Sequence, residues 1–250
     1  MPVHELDVTS LCPGGAMGAL RSGDERALDK VLLQLGHVGW AALDWGEGDT
    51  DGSDASAPDA WSRILAEGEA LWPLMEPGKV MTADGRSWSG VSPSGARRGD
   101  RFITAFDERL SDDAGSWCAL RSLHEKLRAF GFALGARMRS IRLTHSGDTL
   151  FACFPGNGAL YGPHYDGGPH DSRKLTMILY VNADWRAEDG GALMIYDAGA
   201  ATANGQKCWR SVQPLAGRLV VFRSDRVLHK VAAAHARRFA LTAFFSGEYA

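Results

Sequence analysis

No apolar run in the 250-residue chain approaches the roughly 18 residues that span a bilayer, so no transmembrane helix and no membrane partner are expected. Charge of one sign is not in excess: 27 basic residues stand against 30 acidic ones, for a net charge of −3. That balance leaves no electrostatic footprint for nucleic acid or an anionic membrane. Cysteine is scarce. Cys12, Cys118, Cys153 and Cys208 are far apart and form no CxxC pair, which points to reduced thiols in a cytoplasmic or nuclear protein. The start MPVHELDV has early acids and no apolar segment, so no secretory leader is expected there. Internal repeats and long low-complexity tracts are missing too.

The residues that are present suit a globular chain. At 45% hydrophobic and 23% charged it can bury a sizeable core, and no linker composition divides residues 1–250 into separate domains. Residues 1–22 read as a loose lead-in. Leu28, Val31, Leu32 and Leu35 have helical spacing within Asp24–Leu35, ended by Gly36. Val38–Leu43 reads as a short strand, and Gly46–Asp59 as a polar loop. Ser56 and Pro58 open a second helix, with Trp61, Ile64, Leu65, Leu71 and Trp72 on one face. A third helix, from Ser116 to about Phe130, turns Trp117, Leu120, Leu123, Leu127 and Phe130 inward. Its His124 reads as a surface or satisfied core histidine. Between them, Gly78–Phe106 reads as one long polar loop, which in a compact domain is either functional or disordered.

From residue 137 the pattern changes to short strands separated by turns. The candidates are Arg137–Thr144, Leu150–Phe154, Leu160–Tyr165, Lys174–Asn182, Ala192–Tyr196, Arg218–Phe222, His229–Val231 and Phe239–Phe245. Eight such strands predict a sandwich or jelly roll in residues 137–250, with the helices of residues 1–136 on one outer face, an α+β layout.

Chemistry concentrates in Phe151–Arg173. His164 and Asp166 are separated by one residue, so a strand would point both side chains to one face. A distant histidine joining them would give two imidazoles and one carboxylate on one side of a metal. That leaves open coordination positions, the arrangement of non-haem Fe(II) oxygenases. His229, at the end of LVVFRSDRVLH, is in a position to return beside the first pair in a jelly roll. Nine residues later Arg238 interrupts the apolar strand RFALTAFF. A cation there is costly unless it meets an anion, either a protein carboxylate or a ligand carboxylate gripped by the guanidinium fork.

With these residues assembled, the second half resembles the 2-oxoglutarate- and Fe(II)-dependent oxygenases, and within them the hypoxia-inducible-factor type of prolyl 4-hydroxylase. The matching stretches are ACFPGNG, YxxHxD, TMILYVNADW, GGAL, RLVVFRSDRVLHKV and RRFALTAFF, with RRGDRF (Arg97–Phe102) extending the likeness forward. The resemblance implies a double-stranded β-helix (jelly roll) core and Fe(II) bound by His164, Asp166 and His229. It implies 2-oxoglutarate as cosubstrate, its far carboxylate on Arg238 with help from the Tyr180 phenol. Tyr161 would line the pocket beside the metal, and Thr242 and Phe244 its floor.

The reaction so implied consumes O2, releases succinate and CO2, and hydroxylates a proline in a protein or peptide, with ascorbate as reductant and a possible role in oxygen sensing. A carboxylate at Asp166 favours hydroxylation, because iron halogenases of this class carry a small residue there. The loop at about 78–106 would close over the peptide, with Asp100 and Arg173 as an ion pair on the substrate side. Asp184 and Trp185 fit a structural turn of the family. A monomer is expected. Two departures stand out: Phe154 replaces a common tyrosine, and Thr104 or Ala105 replaces a tryptophan, with Phe102, Phe106 or Trp88 as possible substitutes. They bear on the target, and the alternative is a small molecule or free amino acid hydroxylated at the same iron site.

Overall fold

In a computed structural model, residues 25–44, 60–81, 86–92, 95–105, 110, 117–197 and 208–250 are described. Expectations for residues 1–22 and Gly46–Asp59, and for Phe106 and Ser116, lie outside them. The described elements in chain order are α1 (Glu25–His37), β1 (Trp40–Asp44), α2 (Ala60–Leu71), β2 (Glu76–Pro77), β3 (Lys79–Met81), β4 (Ser87–Val91), β5 (Arg97–Arg98), β6 (Arg101–Thr104) and α3 (Cys118–Arg137). Then follow β7 (Ile141–Phe154), β8 (Ala159–His164), β9 (Arg173–Tyr180), β10 (Leu193–Asp197), β11 (Cys208–Val212), β12 (Arg218–Arg223), β13 (His229–Ala234) and β14 (Arg238–Tyr249).

The strands form two seven-stranded sheets. The larger has the order β1-β12-β9-β14-β7-β6-β2 and the smaller β11-β10-β13-β8-β5-β4-β3. All named pairings are antiparallel. The two sheets face each other as the expected double-stranded β-helix, and the helices cover the outer face of the larger sheet. No described helix is long and apolar enough to cross a membrane.

The period of two in a strand divides the core into two layers. On β14, Phe239, Leu241, Ala243 and Phe245 join the layer under the helices, with Leu123, Leu127, Phe130 and Leu134 of α3. Ala240 joins the layer between the sheets, with Phe154, Ile178, Tyr180 and Phe222. Arg238, Thr242 and Phe244 fall on that second, inward face. Register is pinned where β14 begins. The Asn182 carboxamide accepts the Phe239 backbone N–H at 2.6 Å, and its nitrogen donates to the carbonyls of Pro214 and Phe239 at 2.8 and 3.0 Å.

Five expectations need correcting. First, Gly36 does not end the first helix, since α1 runs on to His37. Arg137–Thr144 and Leu150–Phe154 are not two separate strands: Arg137 ends α3, and Ile141–Thr144 and Leu150–Phe154 belong to the one 14-residue β7, which pairs along its length with β14. The segment Gly78–Phe106 is not one loop, because β3 to β6 within it extend both sheets. The third helix runs past Phe130 to Arg137, since Gly131 and Gly135 serve as contact points rather than stops. A Cβ at Gly135 would come within 2.5 Å of Leu143 Cδ1. Finally, β11 has no counterpart among the predicted strands.

No acidic side chain lies in the first turn of α3. Its exposed N–H groups are answered instead from α2: the Glu67 carboxylate accepts from the backbone of Ala119 at 3.1 Å and Leu120 at 2.8 Å. A charge on the positive end of a helix also complements its dipole. Glu67→Ala is therefore expected to lower stability by about 1–2 kcal/mol, read from the urea midpoint.

Candidate active site

β8 and β13 bring the two histidines together. His229 stands opposite His164, and Val231 opposite Tyr161, so Gly162 and Pro163 face the single residue Lys230. This bulge turns Tyr161 onto the face of His164, three residues away, which a regular strand would forbid. Their rings stack with centroids 3.7 Å apart. The His229 ring lies 4.2 Å from that of His164 and 4.6 Å from that of Phe222.

Both imidazoles are oriented by main-chain carbonyls. His164 Nδ1 is 2.8 Å from Gly162 O, and His229 Nδ1 is 3.1 Å from Val227 O. A carbonyl can only accept, so each Nδ1 carries the proton and each Nε2 presents a lone pair. Those Nε2 atoms lie 3.4 and 3.7 Å from Asp166 Oδ1. Burial opposes ionisation of Asp166, but positive charge on the His229 and His164 side of the site, together with the Thr176 hydroxyl, draws its carboxyl well below the usual range. Burial pushes His229 down to about 4 against the pull of Asp166, so the ring is neutral at neutral pH.

The result is three electron-pair donors, all within 4.8 Å of one another, the only such metal-holding set among the described residues. Lone pairs so placed repel unless a cation lies among them, and two histidines with one carboxylate suit Fe(II). His229 is 2% exposed, whereas the side chains of His164 and Asp166 are 19% and 13% exposed. The site therefore opens to solvent on their side, beside the exposed Tyr165.

Arg238 is 3% exposed on the same inward face. Its Nε donates to Gly191 O at 2.6 Å and its Nη2 to the Tyr180 hydroxyl at 3.1 Å. The guanidinium lies 5.1 Å from the Phe154 ring and 4.8 Å from the Tyr180 ring. No carboxylate among the described residues pairs with it, although a buried cation without an anion is costly. Two of its N–H groups are used, leaving the outer fork for a bidentate acid. Tyr180 already accepts a hydrogen bond from Arg238, so its own proton is available to the same acid. Burial pushes the Tyr180 pKa up against the pull of Arg238, keeping it a phenol. Phe154, at a position where the resemblance implies a tyrosine, supplies a face for the cation.

Thr242 and Phe244 are half-buried on this face, with the Arg173 guanidinium 5.1 Å from the Phe244 ring. The expected Asp100–Arg173 ion pair is not formed. Both Asp100 oxygens accept from Arg98, at 2.7 and 3.0 Å, and Arg173 Nε donates to Asp171 at 2.8 Å. Each charge finds a partner two residues away, where little chain entropy is lost in closing the contact. Arg98 is the residue that sequence reasoning missed. It pairs with Tyr161 across β5 and β8 and lies 5.0 Å from that ring. In the RRGD run Arg98 stands beside a second arginine, Arg97, and only the register of β5 on β8 tells the two apart.

Residues 149–246 match the 2OG-Fe(II) oxygenase superfamily. Egl nine homolog 1 from Rattus norvegicus is 32% identical over 181 residues, 71% of this chain and 50% of that protein. The chain spans about half the length of the curated relatives it matches. Two solved structures share the fold. The first is a Trichoplax adhaerens prolyl hydroxylase in complex with a hypoxia-inducible-factor peptide, with a TM-score of 0.68 at 24% identity, covering 88% of this chain and 89% of that one. The second is a Pseudomonas putida prolyl-4-hydroxylase, with a TM-score of 0.59 at 24% identity, covering 88% and 99%. The superfamily works with Fe(II), 2-oxoglutarate and O2, and the His164–Asp166–His229 set fits its iron site. Residues 149–246 are thus similar to 2OG-Fe(II) oxygenases, and the proteins this chain resembles include one named as a prolyl hydroxylase.

Proposed function

We propose that this protein is a prolyl 4-hydroxylase acting on a proline within a protein or peptide, in the cytoplasm or nucleus, as a monomer and with ascorbate as reductant. The observation that carries the reading is the pairing of a two-histidine, one-carboxylate triad with a buried guanidinium that meets no carboxylate among the described residues, on the face between the sheets. Bound Fe(II), 2-oxoglutarate and O2 would supply oxidative hydroxylation of an unactivated C–H bond, with release of succinate and CO2.

The protein's part is binding, orientation and exclusion of water. His164, Asp166 and His229 hold the metal. Arg238 and Tyr180 receive the far carboxylate of 2-oxoglutarate. Thr242 and Phe244 form the floor, and Tyr161, stacked on His164, forms the wall. Arg173 and the β3–β6 region, through Asp100 and its partner Arg98, frame the side on which a peptide would enter. An oxygen-sensing role would follow from the dependence on O2.

The test is incubation with Fe(II), ascorbate, 2-oxoglutarate and a proteome-scale set of proline-containing peptides, read by mass spectrometry. One added oxygen on a peptidyl proline is expected. Hydroxylation of free amino acids alone would overturn the peptide substrate while leaving the iron chemistry intact. In the same assay Arg238→Ala should weaken 2-oxoglutarate by roughly 30-fold or more, because truncating one member of a buried charge pair costs at least about 2 kcal/mol. An unchanged 2-oxoglutarate requirement would refute the anchor.

A further inference from the structure

The turn between β9 and β10 carries no ligand atom for the metal and no residue placed above against substrate or cosubstrate. It nevertheless closes directly on Arg238. Asp184 has φ +56°, and Gly190 and Gly191 have φ +69° and +62°, a backbone course that side-chain-bearing residues rarely adopt. The Arg186 N–H donates to Asp189 at 2.9 Å, and the Trp185 indole N–H donates to Gly190 O at 3.2 Å. The other side of the turn is tied to β13: Gly191 N donates to Ala233 O at 2.8 Å, and His235 N to Asp189 O at 2.7 Å. This held backbone presents Gly191 O to Arg238 Nε at 2.6 Å. A Cβ on Gly191 would come 2.9 Å from Arg238 Cδ, 3.2 Å from Trp185 Cζ2 and 3.3 Å from Ala234 Cβ.

We infer that Trp185 and Gly191 are positioning residues for the 2-oxoglutarate anchor, an inference that rests on the function proposed above. The geometry leaves Arg238 few alternatives. Phe154 and Tyr180 confine the plane of the guanidinium. The Gly191 carbonyl fixes its rotation within that plane by consuming Nε–H, which directs the outer fork away from the turn. The missing Cβ leaves room for Arg238 Cδ. Trp185 sets the height of this carbonyl by holding the preceding peptide. Specificity for a five-carbon diacid over a shorter or uncharged 2-oxo acid is therefore set partly by a turn that never touches the ligand.

The experiment uses the full chain loaded with Mn(II) in place of Fe(II), so that binding is read by calorimetry without turnover. Two ligands are compared: 2-oxoglutarate, and 2-oxobutanoate, which keeps the keto-acid head but lacks the far carboxylate. Gly191→Ala and Trp185→Phe are each expected to weaken 2-oxoglutarate by roughly 10- to 100-fold, the range seen when the orienting partner of a binding group is lost. Neither should change Mn(II) affinity or 2-oxobutanoate binding. Combined with Arg238→Ala, neither should weaken 2-oxoglutarate further. Trp185→Phe keeps an aromatic ring while removing the indole N–H donor, and serves if Gly191→Ala does not fold, as judged by its thermal melt. Unchanged 2-oxoglutarate affinity, or equal loss of both ligands, overturns the positioning role alone. Failure of the unaltered protein to bind 2-oxoglutarate overturns the proposed function and this inference together.

Discussion

His229→Ala is expected to abolish hydroxylation and to weaken Mn(II) or Fe(II) binding by more than roughly 100-fold, beyond the effect of losing an orienting partner. The reason lies in how little freedom the triad has. The Val227 carbonyl commits His229 Nδ1–H, so only Nε2 faces Asp166. No other histidine, cysteine or acid among the described residues completes the set. Loss of this ring leaves one imidazole and one carboxylate, too few donors to hold a divalent ion against water. His229 is also wedged between Phe222 and His164, so its removal opens space in the layer between the sheets. The two effects are separable. Calorimetry reads the metal, and a melt of the metal-free protein reads the fold. Full metal affinity in a folded variant would falsify the site.

The second large effect is structural. Gly131→Ala should destabilise the protein by about 2 kcal/mol or more, although alanine is the better helix former by about 1 kcal/mol. A Cβ there would lie 2.1 Å from Phe245 Cζ and 2.6 Å from both neighbouring ring carbons. Phe245 is fully buried and has an edge-to-face contact with Phe132, so its ring has nowhere to retreat. Either α3 lifts off β14 or the ring leaves its rotamer. Gly36→Ala in α1 is the contrast, because nothing lies within 4 Å of its Cβ. That variant should gain about 0.4–1 kcal/mol. Denaturant midpoints of the two variants should move in opposite directions; a shift of the same sign in both would show that close contact at Gly131 is not what matters. Phe245→Leu in the Gly131→Ala background should recover part of the loss.

Much of the site was legible because its residues violate the pattern around them. Arg238 stands out in an apolar strand, and His164 and Asp166 share one face by simple alternation. The layout of strands and helices was equally open to inspection, since odd and even positions of β14 divide cleanly between the two core layers. What stayed hidden depends on contacts between segments. The glycines of α3 look like helix stops until β14 and β7 are known to lie against them. The short strands β3 to β6 show little apolar alternation, because they extend the sheets and, of their described side chains, only Ile103 enters the core; Ser87, Ser89, Gly90 and Val91 of β4 are exposed. The Asp100–Arg173 pair was expected from likeness alone, and nearer partners for both charges outcompete it.

The Asn182 carboxamide has a consequence for how the chain threads. Phe239 and Arg238 occupy opposite sides of β14, so a slip of a single residue would drive the guanidinium into the greasy layer beneath the helices and swing a phenyl ring into the anchor. Such a mispaired chain would be blind to its cosubstrate as well as poorly packed. By clasping both the N–H and the carbonyl of Phe239, one side chain on a neighbouring segment makes correct assembly and cosubstrate recognition a single event.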